Sequence, residues 1–381
     1  MSSTGKGWAA RRQAAVIHGL HRDVMRAARE GDAARAGGSA GAARAAGYAL
    51  AALVHLLPFA FLVLGGYLVT RFTLLSVPFG VIALDVAWLL RPRVMGVPGG
   101  AETLTRKNAP RLYELIDRIG AEVGAPPTDL VVLSGVPNAA FATYGWRRRR
   151  LVEIGYPLWM LLTPAERVSV IAHEMAHSRN GDARHGLVVG GALYSLDELR
   201  EVTRFCWQPG DGLSRLAAEC LLAVVGLPVR GLILVLELMV HRSSQRAEYR
   251  ADAIQARVGG TEAALSSMDA VRTRVVPADR FLEAQTLAVG RQDLWAELRA
   301  HVAGISEAEI ERLCAEAGLD ELRVDRTHPP THLRKEHLAA LPYAEARVLA
   351  EAMEEIEEEL ARPAERVALG LKEDVQSALY R

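Results

Sequence analysis

Cysteine is scarce in this chain, with three among 381 residues, at Cys206, Cys220 and Cys314. An odd, widely spaced set builds neither a disulfide framework nor a zinc-thiolate cluster, so reduced packing residues in a reducing compartment are expected. Lysine is nearly absent too, at Lys6, Lys107, Lys335 and Lys372 only, and the 45 basic residues are balanced by 45 acidic ones. A net charge of zero gives no electrostatic case for nucleic acid as a partner. Aromatics are 6% of the residues while half are apolar, enough to bury a sizeable core in one large or two medium domains.

Charge is missing locally as well. Between Arg44 and Arg71 no charged residue occurs, and between Arg71 and Arg91 only Asp85 interrupts. Each stretch holds the roughly 20 helical residues a bilayer requires, and the pair reads as a transmembrane hairpin over 45–91, turning near Val69 to Thr73. Pro58 and Gly65-Gly66, costly in a soluble helix, are common in membrane ones. The block is too extended, and the arm before it too long, for a signal peptide. That arm, 1–44, is mainly basic, and Arg91 and Arg93 follow the hairpin. The bias places both ends in the cytoplasm and predicts a multi-pass cell-membrane protein, with its catalytic domain on the cytoplasmic side and membrane lipids as partners. Residues 216–240 are also apolar but carry Glu219, Arg230 and Glu237. They read as a buried or membrane-interfacial helix pair broken at Pro228.

Chemistry is concentrated in His173-Glu174-Met175-Ala176-His177. On a helix the two histidines, four apart, share one face and can bind one metal ion, with Glu174 set beside them as a general base. Zinc, one per chain, suits that donor set. Thr163-Pro164-Ala165-Glu166 reads as an N-cap, a proline at the first helical position and a capping-box glutamate, so the helix is predicted to begin at Pro164. A catalytic zinc needs a third protein ligand. Glu248 is the candidate, and Asp252, one helical turn on, would accept a hydrogen bond from the outer nitrogen of a ligating histidine.

These elements resemble, in order, those of the integral-membrane zinc metallopeptidases that include HtpX and the CAAX prenyl proteases. The similarity extends to Asn108-Ala109-Pro110, to Pro137-Asn138-Ala139-Ala140-Phe141-Ala142, to Asn180 and Asp182, and to Thr327-His328-Pro329 with Arg334. The sequence departs from the pattern at an extra alanine after Asn138, at Ser178-Arg179, and at an arginine run, Arg147 to Arg150. The resemblance implies that His328 acts catalytically as a donor to the oxyanion and that Asn180 and Asp182 lie behind the ligands. It further implies that Asn138, Ala140, Phe141 and Arg334 bind substrate.

The expected fold is mainly α with a small β-sheet (α+β), a zincin-type metallopeptidase domain over 92–343 preceded by the hairpin and followed by a C-terminal helical segment over 344–381 with a mainly solvated, Glu-rich face. Leu130 to Leu133, Ala140 to Tyr144 and Leu151 to Ile154 read as short strands, and an exposed edge among them would hold an extended substrate. The Arg147 to Arg150 run reads as a solvated turn, with contact to anionic headgroups as the sharper alternative. The expected function is hydrolysis of peptide bonds in unfolded or membrane-associated polypeptides. The alternatives are a CAAX-prenyl-type processing protease and a catalytically silent membrane scaffold. Intact Glu174 argues against the scaffold, which needs no base.

Overall fold

The structure is a computed structural model that describes residues 22, 24–26, 38–92, 96–97, 101–145, 147–179, 186–208, 210–285, 293–313, 315 and 329–379. In chain order its helices include α1 (Gly38–Thr70), α2 (Ser76–Leu89), α3 (Pro110–Val123), α4 (Tyr156–Leu161), α5 (Pro164–Arg179), α6 (Gly191–Val202) and α7 (Leu213–Val225). They continue with α8 (Leu227–Gly259), α9 (Thr261–Ala270), α10 (Val276–Gln285), α11 (Leu294–Gly304), α12 (Thr331–Ala340) and α13 (Met353–Leu379). The strands are β1 (Glu102–Leu104), β2 (Leu130–Ser134), β3 (Ala139–Tyr144) and β4 (Arg149–Gly155). The predicted mixture of many helices with a small sheet is what forms. The chain divides into two compact units, one of residues 1–33, 95–182 and 245–381, the other of residues 34–94 and 183–244.

The first unit is built on the sheet, whose strand order is β1-β2-β4-β3. The near-continuous apolar run of β2 suits an interior strand, and it pairs in parallel with β4. β3 and β4 form an antiparallel hairpin, from Ala139 opposite Ile154 to Tyr144 opposite Arg149. Between β2 and β3 the chain crosses tightly over Gly155, where a Cβ would lie 1.7 Å from the Val136 carbonyl oxygen, so only glycine fits. β1 was not predicted from the sequence. Its three residues are too few to show alternation, and its pairing with β2 places it.

Helix α3 shows how the sequence writes this unit. Pro110 opens it, Leu112, Leu115, Ile116, Ile119 and Val123 give one buried stripe, and Gly124 ends it at φ 76°. Its first free N–H groups, of Arg111 and Leu112, donate to the two carboxylate oxygens of Glu359 at 2.8 and 3.0 Å, a negative charge at the positive end of the helix. Glu359 lies on α13, and here the structure corrects the expectation of a separate C-terminal segment. Ile356, Leu360, Ala364 and Val367, spaced four, four and three apart, are buried in the main core. Only the opposite face of α13 is solvated.

The second unit holds the apolar helices. Ala45–Thr70, within α1, is long and apolar enough to cross a membrane, and so is Leu213–Glu237. The second arm of the expected hairpin is shorter than predicted: α2 has 14 residues, about 21 Å of helix against a hydrocarbon core of about 30 Å. Tyr67 stacks under Arg71 at one end of the pair, and Trp88 under Arg91 at the other, with Arg91 3.6 Å from the ring centroid. Such amphipathic pairs suit a membrane interface. Helix α7 has no buried residue, so burial, one of the two readings of 216–240, does not hold there. Its break from α8 falls at Gly226, beside Pro228. Cys206 and Cys220 are exposed rather than packed, and Cys314 lies outside the described residues.

Two ionisable side chains of these apolar helices, His55 and Arg230, bind backbone carbonyls, while Glu219 accepts from the Cys206 N–H at 2.9 Å. His55 Nε2 lies 2.8 Å from the Val188 oxygen, which belongs to a π-helical turn, Gly186–Gly190. Arg230 donates to the Ala223 oxygen at 3.0 Å and to the Thr203 oxygen at 2.7 Å.

Candidate metal centre

Helix α5 begins where its cap dictates. The Thr163 N–H donates to Glu166 Oε2 at 2.7 Å, and the Glu166 N–H to Thr163 Oγ1 at 3.4 Å, the reciprocal pair of a capping box. Glu166 is buried, and its other oxygen accepts from Ser266 and, at 2.5 Å, from Arg274 Nη2. Burial alone would raise its carboxyl, but Arg274, Ser266 and the Thr163 N–H hold it below the usual range.

From that anchored start, Ser169, His173 and His177 recur every fourth residue along one face of α5. Glu248, Asp252, Gln255 and Gly259 form the matching face of α8. The pairings run in opposite directions. A Cβ on Gly259 would lie 2.9 Å from Ser169 Cα, so the backbones approach closely there. The Gln255 amide donates to Ser169 Oγ at 2.9 Å and to Ser267 Oγ of α9 at 3.0 Å. Asp252 then meets His173, and Glu248 meets both histidines. The helices are therefore antiparallel, and the site is one end of their seam.

At that end three donor atoms converge. His173 Nε2 is 3.3 Å from Glu248 Oε2, His177 Nε2 is 3.4 Å from Glu248 Oε1, and the two Nε2 atoms are 3.4 Å apart. A tetrahedral ion with bonds of about 2.0–2.2 Å separates its ligands by about 3.3–3.6 Å. The spacing fits a metal ion. His173 and Glu248 are buried, and His177 is the most open of the three.

Behind these donor atoms runs a chain of contacts. His173 Nδ1 is 3.2 Å from Asp252 Oδ1, and Asp252 accepts both forks of Arg334, at 3.0 Å to Nε and 2.6 Å to Nη2. A carboxylate so placed keeps the proton on Nδ1 and turns Nε2 toward the other two donor atoms. Burial would lower the His173 imidazole, but Asp252 and Glu248 outweigh it and raise it to about 9. Burial would likewise raise Asp252, yet Arg334 and His173 bring it down to about 2.

The sequence model of peptidase family M48 matches residues 106–341, more than half of the chain. A relative named "Protease HtpX homolog" from Pyrobaculum calidifontis is 30% identical over 296 residues, 74% of this chain and 83% of the relative. The chain belongs to peptidase family M48. It is a metallopeptidase and acts on polypeptides. Relatives of the same printed name from Gemmatimonas aurantiaca and Pyrobaculum aerophilum are each 29% identical, over 172 and 192 residues. Those matches cover 44% and 50% of this chain, and the chain spans 59% and 53% of those two relatives. No solved structure gives a significant match.

The other expected site residues of this peptidase divide into three groups. Asn180, Asp182 and His328 lie outside the described residues. Asn138 is exposed and leads into β3, an edge strand that packs beside α5 and pairs with β4 alone among the described strands. Ala140 is half-buried on that strand, and Phe141 packs its ring against the main core, which leaves the backbone as the strand's free feature. Arg334, expected at substrate, donates to Asp252 through Nε and Nη2. Sequence reasoning missed Ser169, Gln255 and Gly259, though the four-residue recurrence through His173 and His177 was a usable signal. It also passed over His337, which is buried on α12 with its ring 5.0 Å from that of Tyr249, the neighbour of Glu248.

Proposed function

We propose that this metallopeptidase is a membrane-anchored zinc endopeptidase that hydrolyses unfolded or membrane-associated polypeptides. The observation that carries the reading is the 3.3–3.4 Å spacing of the His173, His177 and Glu248 donor atoms, which suits the bond lengths and tetrahedral preference of zinc. Bound zinc supplies a Lewis acid that polarises a peptide carbonyl and acidifies water.

The chain's own residues do the rest. Glu174, next to His173 on α5 and half-buried, takes a proton from the attacking water and returns it to the leaving amine as the C–N bond breaks. Asp252, held by Arg334, fixes the orientation and tautomer of His173. His328 donates to the oxyanion, and Asn180 and Asp182 support the ligands from behind. The free edge of β3, with Asn138, Ala140 and Phe141 on it or leading into it, binds substrate as an added strand. That mode reads backbone more than side chains and gives loose sequence specificity.

Ala45–Thr70 anchors the chain in the cell membrane, and the basic residues flanking the hairpin put the catalytic unit on the cytoplasmic side. The test is the Glu174→Gln protein, which is expected to keep one zinc per chain and to lose cleavage of an unfolded model substrate. Retained cleavage would sink the mechanism. In Glu248→Ala the zinc content itself should fall; an unchanged content would move the third ligand elsewhere.

A further inference from the structure

Arg147, Arg148 and Arg149 stand exposed at the tip of the β3–β4 hairpin, and their side chains have no ion-pair or hydrogen-bond partner among the described residues. The next residue inward differs. Arg150 is clamped to Asp129, Nε to Oδ2 at 2.8 Å and Nη2 to Oδ1 at 3.3 Å, and its N–H reaches the same carboxylate at 2.8 Å. The hairpin is thus pinned one residue pair inside its tip, and three guanidinium groups are presented beyond that point. The whole chain has no net charge, so this density is local.

Arg148 also occupies a backbone conformation that does not favour it. Its φ is 51°, in the left-handed region, where glycine or asparagine costs less, and its N–H closes the turn onto the Gly145 oxygen at 2.9 Å. A turn shaped for folding alone has cheaper residues available there. The turn's backbone geometry therefore gives no reason for an arginine at this position.

We propose that this tip is a contact site for anionic lipid headgroups. Guanidinium forks match phosphate oxygens two at a time. Three adjacent forks on an exposed turn, with no groove around them, suit a diffuse anionic surface better than a shaped ligand. The chain supplies its own bilayer, since Ala45–Thr70 is long and apolar enough to cross one, and a tethered surface is met at high effective concentration. The contact goes beyond the catalytic reading and rests only on its membrane anchoring.

The test uses the full chain in nanodiscs of phosphatidylcholine with or without phosphatidylglycerol, and reads backbone hydrogen exchange over residues 145–149. Exchange is expected to slow about tenfold in the anionic discs and to recover at high salt. The combined Arg147→Gln, Arg148→Gln and Arg149→Gln variant should lose that protection at an unchanged melting temperature. A chain that enters both discs with equal exchange overturns the contact alone, as does protection that survives in the variant. Protection given by an acidic peptide but not by phosphatidylglycerol overturns it in favour of a polypeptide partner. A chain that enters neither disc overturns the anchoring, and this contact with it.

Discussion

Both units of the molecule place ionisable groups inside apolar surroundings, and they satisfy them differently. In the second unit His55 binds one backbone carbonyl, at Val188, and Arg230 binds two, at Ala223 and Thr203. In the first unit His173, Glu248, Asp252 and Arg334 bind one another, and one vertex of the cluster leaves three donor atoms facing a common point. The comparison separates accommodation from function. A carbonyl accepts a half-buried donor and ends the matter, whereas linked titratable groups hold a geometry that a metal ion can complete.

Breaking the cluster should have the largest effect. Asp252→Ala takes from Arg334 the carboxylate that accepts both its forks, and from His173 its orienting carboxylate. Zinc affinity should fall about 10- to 100-fold by competition titration, and stability by about 3–5 kcal/mol in denaturant unfolding. A loss of stability with unchanged affinity would separate Asp252 from the metal site.

The cap of α5 comes next. Glu166→Gln should destabilise by about 2–3 kcal/mol, because Arg274 keeps its charge and its bond to the Leu161 oxygen but loses the carboxylate it pairs with. The folded-state carboxyl of Glu166 lies below its unfolded value. Its contribution is therefore complete above the ordinary glutamate range near pH 4.3 and is lost as pH falls through the lower, folded value. The variant should flatten that acid limb, as stability measured against pH would reveal.

In the second unit the same kind of deletion should do less. Arg230→Met is expected to cost about 1–2 kcal/mol and His55→Leu about 0.6 kcal/mol, in unfolding from detergent, since each removes only bonds to carbonyls. Zinc content should stay at the level of the parent in both. A metal defect in either would show that the contrast between the units is too sharp.

The parts of this protein most legible in its sequence are those governed by near neighbours. The start of α5 follows from Thr163, Pro164 and Glu166, three strands from short apolar runs, and the two histidines from their spacing. The pairing of Glu248 with Asp252 was legible for the same reason, four residues on one helix. What escaped had its cause far along the chain. β1 exists because β2 lies beside it. The Glu-rich start of α13 read as solvated, yet its Glu359 caps α3 from nearly 250 positions away and its other face completes the core. The lengths of α1 and α2 differ more than the two stretches between Arg44, Arg71 and Arg91 suggested, because charge marks where a helix can cross a membrane and not where its hydrogen bonding ends.

By itself the sequence determined the chemistry available: two imidazoles and a carboxylate on one helix, two carboxylates on another, and apolar stretches able to enter a bilayer. These depend on residue type and on spacings of three or four, which the helix repeat converts directly into shared faces. Only the tertiary structure decided that α5 and α8 run antiparallel in a register set by Ser169 against Gly259, bringing Glu248 to His173 and His177, and that Arg334 lies behind Asp252. Such choices depend on how closely two backbones can approach and on contacts between residues tens of positions apart, and no local pattern encodes either.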